Sequence, residues 1–223
     1  MKPAIVKILS TEFVTHNVRR FKLERPEGLR FVPGQAADVS INTPELKDEK
    51  RPFTFTGLAE WDHLEFTIKI YADHDGVTNH LGKLMVGDEL ILHDVFGAIK
   101  YFGEGVFIAG GAGVTPFIAI FRQLEKERKI GNNKLIFSNQ MEKDIILRED
   151  FTRMLGTNFI NTLTKEVSGK FDHRNIDADY LKEKVSTFDQ YFYLCGPDPM
   201  VEGLQKTLIT LGAPRDKVIT EQF

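Results

Sequence analysis

Phe107-Ile108-Ala109-Gly110-Gly111-Ala112-Gly113-Val114-Thr115-Pro116 is the stretch on which the fold turns. An apolar run from Val106 to Ala109 leads into three glycines within four residues, and an amphipathic run from Phe117 to Leu124 follows. This order reads as a buried strand, a tight turn and a helix start. Thr115 suits the N-cap, and Pro116 suits the first helical position, where its missing N–H costs nothing. Glycines let a ligand approach the backbone, and a helix N-terminus offers free N–H groups and a positive dipole end. The stretch is therefore a candidate cradle for a dinucleotide pyrophosphate. Its spacing is not G-x-G-x-x-G, so that fingerprint is not met. A tight strand-to-helix turn without a ligand is the other reading.

Downstream of this stretch, apolar strand candidates alternate with helix candidates. The order is Val106–Ala109, helix Phe117–Lys129, Lys134–Ser138, helix Leu147–Leu155, Asn158–Leu163, helix Ala178–Val185, Gln190–Cys195, helix Met200–Leu211 and Lys217–Thr220. Such alternation predicts a parallel sheet with helices on both faces, and such sheets bind ligands beyond the carboxyl ends of their strands. Ser138-Asn139-Gln140, Thr164-Lys165 and Cys195-Gly196-Pro197 fall at such ends. Cys195 reads either as a small buried apolar residue or as a site-lining one, and no histidine lies close in sequence to activate it.

Upstream, the pattern is β only. Ala4–Leu9, Val18–Leu23, Ala36–Ile41, Phe53–Leu58, Leu64–Tyr71 and Glu89–Val95 are short runs, and turn signals such as Pro33-Gly34 and Gly87-Asp88 separate them. This spacing predicts an antiparallel barrel or sandwich. One helix is expected over Asn79–Met85, with Thr78 as its N-cap. In Arg51-Pro52-Phe53-Thr54-Phe55-Thr56, alternation puts the phenylalanines on one face and the threonines on the other. Arg51 offers a planar fork for phosphate, while a strand with one wet face is the plain alternative. Ile68-Lys69-Ile70-Tyr71 alternates likewise, and Gly76-Val77-Thr78-Asn79 enters the short helix. The β-only pattern stops near Tyr101–Gly105, so the expected domains are 1–101 and 102–223.

Composition narrows the classes. The 223 residues carry a net charge of −3, which gives nucleic-acid binding no support. No apolar run reaches the roughly 20 residues of a membrane helix, and Met1–Lys7 lacks a signal-peptide core. A cytoplasmic protein is expected. A single cysteine excludes a disulfide scaffold, a cysteine-ligated zinc site or an iron–sulfur cluster held by this chain alone. No metal is expected.

In order, these signals resemble the ferredoxin–NADP reductase superfamily, which includes flavodoxin and cytochrome reductases. Phe31-Val32-Pro33-Gly34-Gln35 is similar to its P-G-Q strand, Arg51-Pro52-Phe53-Thr54 to its R-x-[Y/F]-[S/T] flavin motif, and Gly76-Val77-Thr78 to its second flavin-phosphate segment. Gly110–Pro116 is similar to its nicotinamide-nucleotide loop, and Cys195-Gly196-Pro197-Asp198-Pro199-Met200 to C-G-P-x-x-M. The resemblance implies an N-terminal flavin-binding antiparallel β-barrel and a C-terminal α/β domain that binds NADH or NADPH. FAD is the expected flavin, with FMN second.

The resemblance also implies roles. Arg51 would pair with flavin phosphate, Phe53 would pack on the isoalloxazine, and Thr54 would place its hydroxyl near flavin N5. Lys69 and Tyr71 would contact the flavin nucleotide, and Gly76, Val77 and Thr78 its pyrophosphate. Gly111, Gly113 and Thr115 would line the nicotinamide nucleotide, with Asn139, Thr164, Lys165, Gly196 and Met200 around it. Cys195 would sit beside nicotinamide C4, Glu221 is similar to a near-terminal glutamate, and Phe223 would cover the flavin face.

The implied activity is transfer of electrons from NAD(P)H through the flavin to a one-electron acceptor such as ferredoxin, flavodoxin or a haem protein. A free-flavin or ferric-chelate reductase and a non-catalytic electron-transfer subunit are the alternatives. On the donor, Leu135–Leu147 is similar to the NADH-using cytochrome reductases. Thr164-Lys165, with Lys170 beyond, are residues that tolerate or attract a 2′-phosphate.

Overall fold

In the computed structural model, residues 2–73, 75–97 and 99–221 are described. The chain divides into two compact units: Met1–Ala98 with Thr115–Gln123, and Ile99–Val114 with Leu124–Gln222.

The first unit is built on six antiparallel strands. They are β1 (Ala4–Thr15), β2 (Val18–Glu24), β3 (Gln35–Ile41), β4 (Arg51–Thr54), β5 (His63–Lys69) and, after the short helix α1 (Val77–Leu81), β6 (Glu89–Gly97). Their order in the sheet is β4-β3-β6-β1-β2-β5. The two edge strands then meet: Phe55 bridges to Phe66, and the Thr56 amide donates to the Glu65 carbonyl at 2.9 Å. That junction closes the sheet into a barrel and removes its free edges. Phe55 fills the centre, stacked on Phe31 at 4.0 Å and on Phe66 at 4.9 Å.

Local expectations change here: β1 runs on to Thr15 rather than ending at Leu9, and the strand expected over Phe53–Leu58 spans Arg51–Thr54. The helix expected over Asn79–Met85 runs over Val77–Leu81 and is capped by Gly76, not Thr78. Burial decides it, because Val77 and Leu81, one turn apart, both enter the barrel core. The plain alternative, a strand with one wet face, does not hold at Thr56. Thr56 is fully buried, because the barrel closes over it and its hydroxyl donates to Glu65 Oε1 at 2.9 Å.

Helix α2 (Thr115–Lys126) follows a 3-10 turn over Gly111–Val114. Thr115 is thus the first α-helical residue rather than an isolated cap, since the turn already winds the chain. The helix stops short of Lys129 because Arg128 takes a left-handed φ of 57° and the Lys129 amide returns to the Leu124 carbonyl at 2.7 Å.

The second unit holds β7 (Gly105–Gly110), β8 (Lys134–Asn139), α3 (Arg148–Leu155), β9 (Phe159–Leu163), β10 (Asp172–His173), α4 (Ala178–Lys184), β11 (Tyr191–Cys195), α5 (Asp198–Thr210) and β12 (Val218–Thr220). All pairings are parallel, in the order β10-β9-β8-β7-β11-β12. Every residue of β7 is buried, which is how a central strand of a covered parallel sheet reads. β10 has only two residues, too few to leave a pattern in sequence. One side of the sheet packs Ile108, Ile136, Phe192 and Leu194 against Tyr180 and Leu181 of α4 and Leu204 and Leu208 of α5. Among the described residues no helix is long and apolar enough to cross a membrane, and no group of three or more His, Cys, Asp or Glu could hold a metal.

Candidate functional site

The sheet order of the second unit fixes where a ligand belongs. From β7 the chain steps to β8, β9 and β10 on one side, then returns to place β11 and β12 on the other. The order reverses between β7 and β11, and open parallel sheets bind ligands outside the carboxyl ends of their strands at such a switch point. The residues at that point are those the sequence singled out: Ala109, before Gly110, lies opposite Cys195.

The glycines divide the work. Gly111 takes a φ of +51°, and a Cβ built on it meets no atom within 4 Å, so it faces open space. Gly113 does the opposite: a Cβ there would lie 2.5 Å from the backbone carbon and oxygen of Cys195. Its bare Cα is used by the protein itself, to bring the turn onto β11. Gly110 and Gly196 close the same junction, since a Cβ on either would lie 2.8 and 2.9 Å, respectively, from the Met200 side chain. Met200 is thereby placed as the prop beneath both turns.

Cys195 is buried, and its thiol donates to Glu221 Oε2 at 3.3 Å. Burial pushes the thiol pKa far above the usual range, and the Glu221 carboxylate reinforces the shift. The Glu221 carboxyl is itself held up, first by burial and then by the charge of Asp198, against the lowering effect of the Cys195 hydrogen bond. The pair therefore presents a neutral thiol, which shapes and polarises rather than attacks.

At the end of β8, Asn139 is 5% exposed, and both polar atoms of its amide are buried without a partner. Two orphaned groups on one buried amide are costly unless something bound satisfies them. The Asn139 backbone carbonyl accepts the Thr164 amide at 2.9 Å, so Asn139 and Thr164 share one strand end. Lys165 follows there and is exposed.

In the first unit, Arg51 opens β4 with an exposed side chain that donates to the Lys50 carbonyl at 2.6 Å and lies 3.6 Å from Glu49. Pro52 is exposed, and Thr54 is buried opposite Ala36. Phe53 is half-buried against the barrel core. Lys69, at the end of β5, has its ammonium 5.5 Å from the ring of Tyr71. Gly76 caps α1, leaving the Val77 and Thr78 amides at the open first turn. Phe223 lies outside the described residues.

These residues fit the groups the fold implies. The exposed guanidinium of Arg51 and the open first turn after Gly76 each suit a phosphate, and the open Gly111 turn and orphaned Asn139 amide suit a nicotinamide nucleotide. The sequence reading missed a cluster beside Asn139, in which Glu142 gathers Arg148 and Lys170. Lys170 joins Glu142 and Arg148 from beyond β9, so no local pattern marks the cluster.

Two family models match the chain. An oxidoreductase FAD-binding domain covers residues 5–101, and an oxidoreductase NAD-binding domain covers residues 107–206. The rat NADH-cytochrome b5 reductase 2 is 24% identical, over 96% of this chain and 92% of the relative. The NADH-cytochrome b5 reductase 1 of Aspergillus terreus is 27% identical, over 93% of this chain and 77% of the relative. Among solved structures, the flavohem-like FAD/NAD-binding domain of nitric oxide dioxygenase from Vibrio cholerae O1 biovar El Tor superposes with a TM-score of 0.87 at 20% identity, covering 98% of each chain. A ferredoxin NADP+ reductase from Neisseria gonorrhoeae, with bound FAD and NADP, superposes with a TM-score of 0.80 at 22% identity, over 95% of this chain and 92% of that one.

A closed barrel matched as FAD-binding and a parallel sheet matched as NAD-binding define an FAD-containing NAD(P)H oxidoreductase. The chain belongs to the ferredoxin–NADP reductase superfamily.

Proposed function

We propose that this protein is an NAD(P)H reductase that passes single electrons through FAD to a haem protein, with residues 1–101 as the flavin domain and 102–223 as the nucleotide domain. The observation that carries this reading is the match to NADH-cytochrome b5 reductases across nearly the whole chain. When bound, FAD accepts two electrons as a hydride and releases them one at a time.

The chain's own residues bind, orient and polarise. Arg51, with the Val77 and Thr78 amides, holds the flavin phosphates, and Lys69 and Tyr71 flank the nucleotide. Phe53, packed against the barrel core, would support the isoalloxazine. Thr54 would offer its hydroxyl to the flavin, where a fixed donor is worth most if it meets the position at which charge develops. In the second unit, Gly111 admits the nicotinamide nucleotide to the turn, and Asn139 offers its unpartnered amide. Cys195 remains a thiol and shapes the nicotinamide subsite, and Glu221 keeps that thiol oriented. Thr164 and Lys165 bound the outer end of the nucleotide.

The test is anaerobic stopped-flow mixing with NADH or NADPH, followed by oxidised cytochrome b5. Wild-type flavin should bleach and the haem should then reduce, more slowly at high salt if charged surfaces guide docking. Thr54→Ala should retain FAD yet bleach about 100-fold more slowly; unchanged bleaching removes Thr54 from the hydride step. Faster turnover with free FMN or a ferric chelate than with cytochrome b5 moves the assignment to a free-flavin reductase.

A further inference from the structure

The Thr115–Gln123 part of α2 and the strand segment that carries Thr54 belong to one compact unit. Arg122 ties them together. Its Nη1 donates to the Thr56 carbonyl at 2.8 Å and to Glu65 Oε1 at 2.5 Å. The same Glu65 oxygen accepts the Thr56 hydroxyl at 2.9 Å. The Glu65 and Arg122 side chains are 2% and 15% exposed, and the guanidinium lies 5.3 Å over the Trp61 ring. A Cβ on Gly57 would come within 2.9 Å of that ring, so Trp61 packs directly on the chain just past Thr56.

What this joint connects gives it a chemical meaning. Thr56 follows Thr54 by two residues and shares its face by alternation. Thr115 precedes Arg122 by seven residues, about two turns, so both lie on one face of α2. Thr54 is read above as the flavin-side hydroxyl and Thr115 as a residue lining the nicotinamide nucleotide. Hydride transfer needs its reacting atoms about 3–3.5 Å apart, and a misplacement of about 1 Å can cost about 100-fold. Neither threonine sets that separation by itself; the frame carrying both does. A buried ion pair is often no more stabilising than apolar residues in its place, so geometry rather than stability accounts for its use here.

We propose that Arg122 is a positioning residue for hydride transfer, which holds α2 to the Thr54–Thr56 segment so that Thr115 and Thr54 keep a fixed separation. The proposal rests on the reading of Thr54 and Thr115 given above. Arg122 touches neither reactant. The reaction it serves is transfer of a hydride from NAD(P)H, oxidised to NAD(P)+, to FAD, reduced by two electrons.

The test compares wild type with the double variant R122M/E65L, both as FAD holoenzymes. Replacing both partners removes the tie without leaving a buried charge, so the urea midpoint should recover most of what Arg122→Met alone loses. If Arg122 were only structural, function would recover with stability. Ring stacking is read without turnover, from the long-wavelength charge-transfer absorbance formed with a tetrahydro analogue of NAD(P)H, which stacks on a flavin but gives no hydride. In the double variant that band should fall several-fold while the analogue still binds, and anaerobic bleaching by NAD(P)H should slow about tenfold or more. Arg122→Lys keeps the cation but not the planar fork. It should show the same losses in smaller measure, and it takes the place of the double variant if that does not fold. A folded variant with the wild-type band and the wild-type bleaching rate overturns the proposal. If the wild type itself gives neither band nor bleaching with either donor, the reading of Thr54 and Thr115 fails and the proposal falls with it.

Discussion

Gly111 and Gly113 sit two residues apart in one turn, yet the structure gives them different tasks. Alanine at Gly113 would drive a Cβ to 2.5 Å from the Cys195 backbone. The turn or β11 must then shift, at a cost of about 2 kcal/mol. Alanine at Gly111 meets nothing within 4 Å but inherits a φ of +51°, at about 1 kcal/mol. Gly113→Ala should therefore lower Tm by roughly 4–8 °C by differential scanning calorimetry, more than Gly111→Ala does. The sequence showed that this turn needed glycine, but not which ligand-free contact required it, because Cys195 arrives from 82 residues further on. Glu221 carries a second expectation. Its carboxyl pKa is raised by burial above the ordinary 4.5. Its contribution to stability is thus full below that ordinary value and is lost as pH rises through the folded-state value. Glu221→Gln cannot ionise, so its urea midpoint should fall less than the wild-type midpoint as pH rises from about 4.5 upward. Parallel curves for the two proteins would contradict the assignment.

At the scale of elements, most strands were legible within a residue or two, because alternation in the barrel and continuous apolar runs in the parallel sheet are strong local signals. What alternation could not show was barrel closure. Alternation puts Thr56 on the face opposite the phenylalanines, yet it is buried beside Thr67 and Glu65. Glu65 is 2% exposed, and Arg122 from the α2 segment of the same unit donates to it at 2.5 Å and to the Thr56 carbonyl at 2.8 Å. The guanidinium also lies 5.3 Å over the Trp61 ring. Nothing near Glu65 in sequence announces a partner 57 residues away. A buried carboxylate left without its cation is far worse than no pair at all. Arg122→Met should cost about 3 kcal/mol, and adding Glu65→Leu should recover much of that loss. Equilibrium urea unfolding of the single and double variants measures both. A double variant as unstable as the single would show that Arg122 acts through packing on Trp61 rather than through the charge.

For the whole molecule, the order of the motifs was more informative than any one of them: P-G-Q, Arg51–Thr54, Gly76–Thr78, Gly110–Pro116 and Cys195–Met200 each fit a plain turn or strand taken singly. Together they imply a flavin domain followed by a nucleotide domain, and the chain matches an oxidoreductase FAD-binding domain over 5–101 and an oxidoreductase NAD-binding domain over 107–206. The charge cluster at Glu142 was not legible, because Lys170 reaches it from beyond β9. Cofactor occupancy then has a consequence for the folded chain. FAD binds the native barrel and not the unfolded chain, so it stabilises by mass action. At about 100 times its Kd the gain is about 2.7 kcal/mol. For a chain of 223 residues, each kcal/mol moves Tm by roughly 2–4 °C. Protein stripped of FAD should therefore melt roughly 5–11 °C below the holoenzyme and recover on adding FAD. Arg51→Ala should shrink that gap at fixed FAD, because it weakens the phosphate grip while leaving the apo barrel intact. An apo protein that melts with the holoenzyme would mean that the Arg51 and Gly76 segments do not form the flavin site.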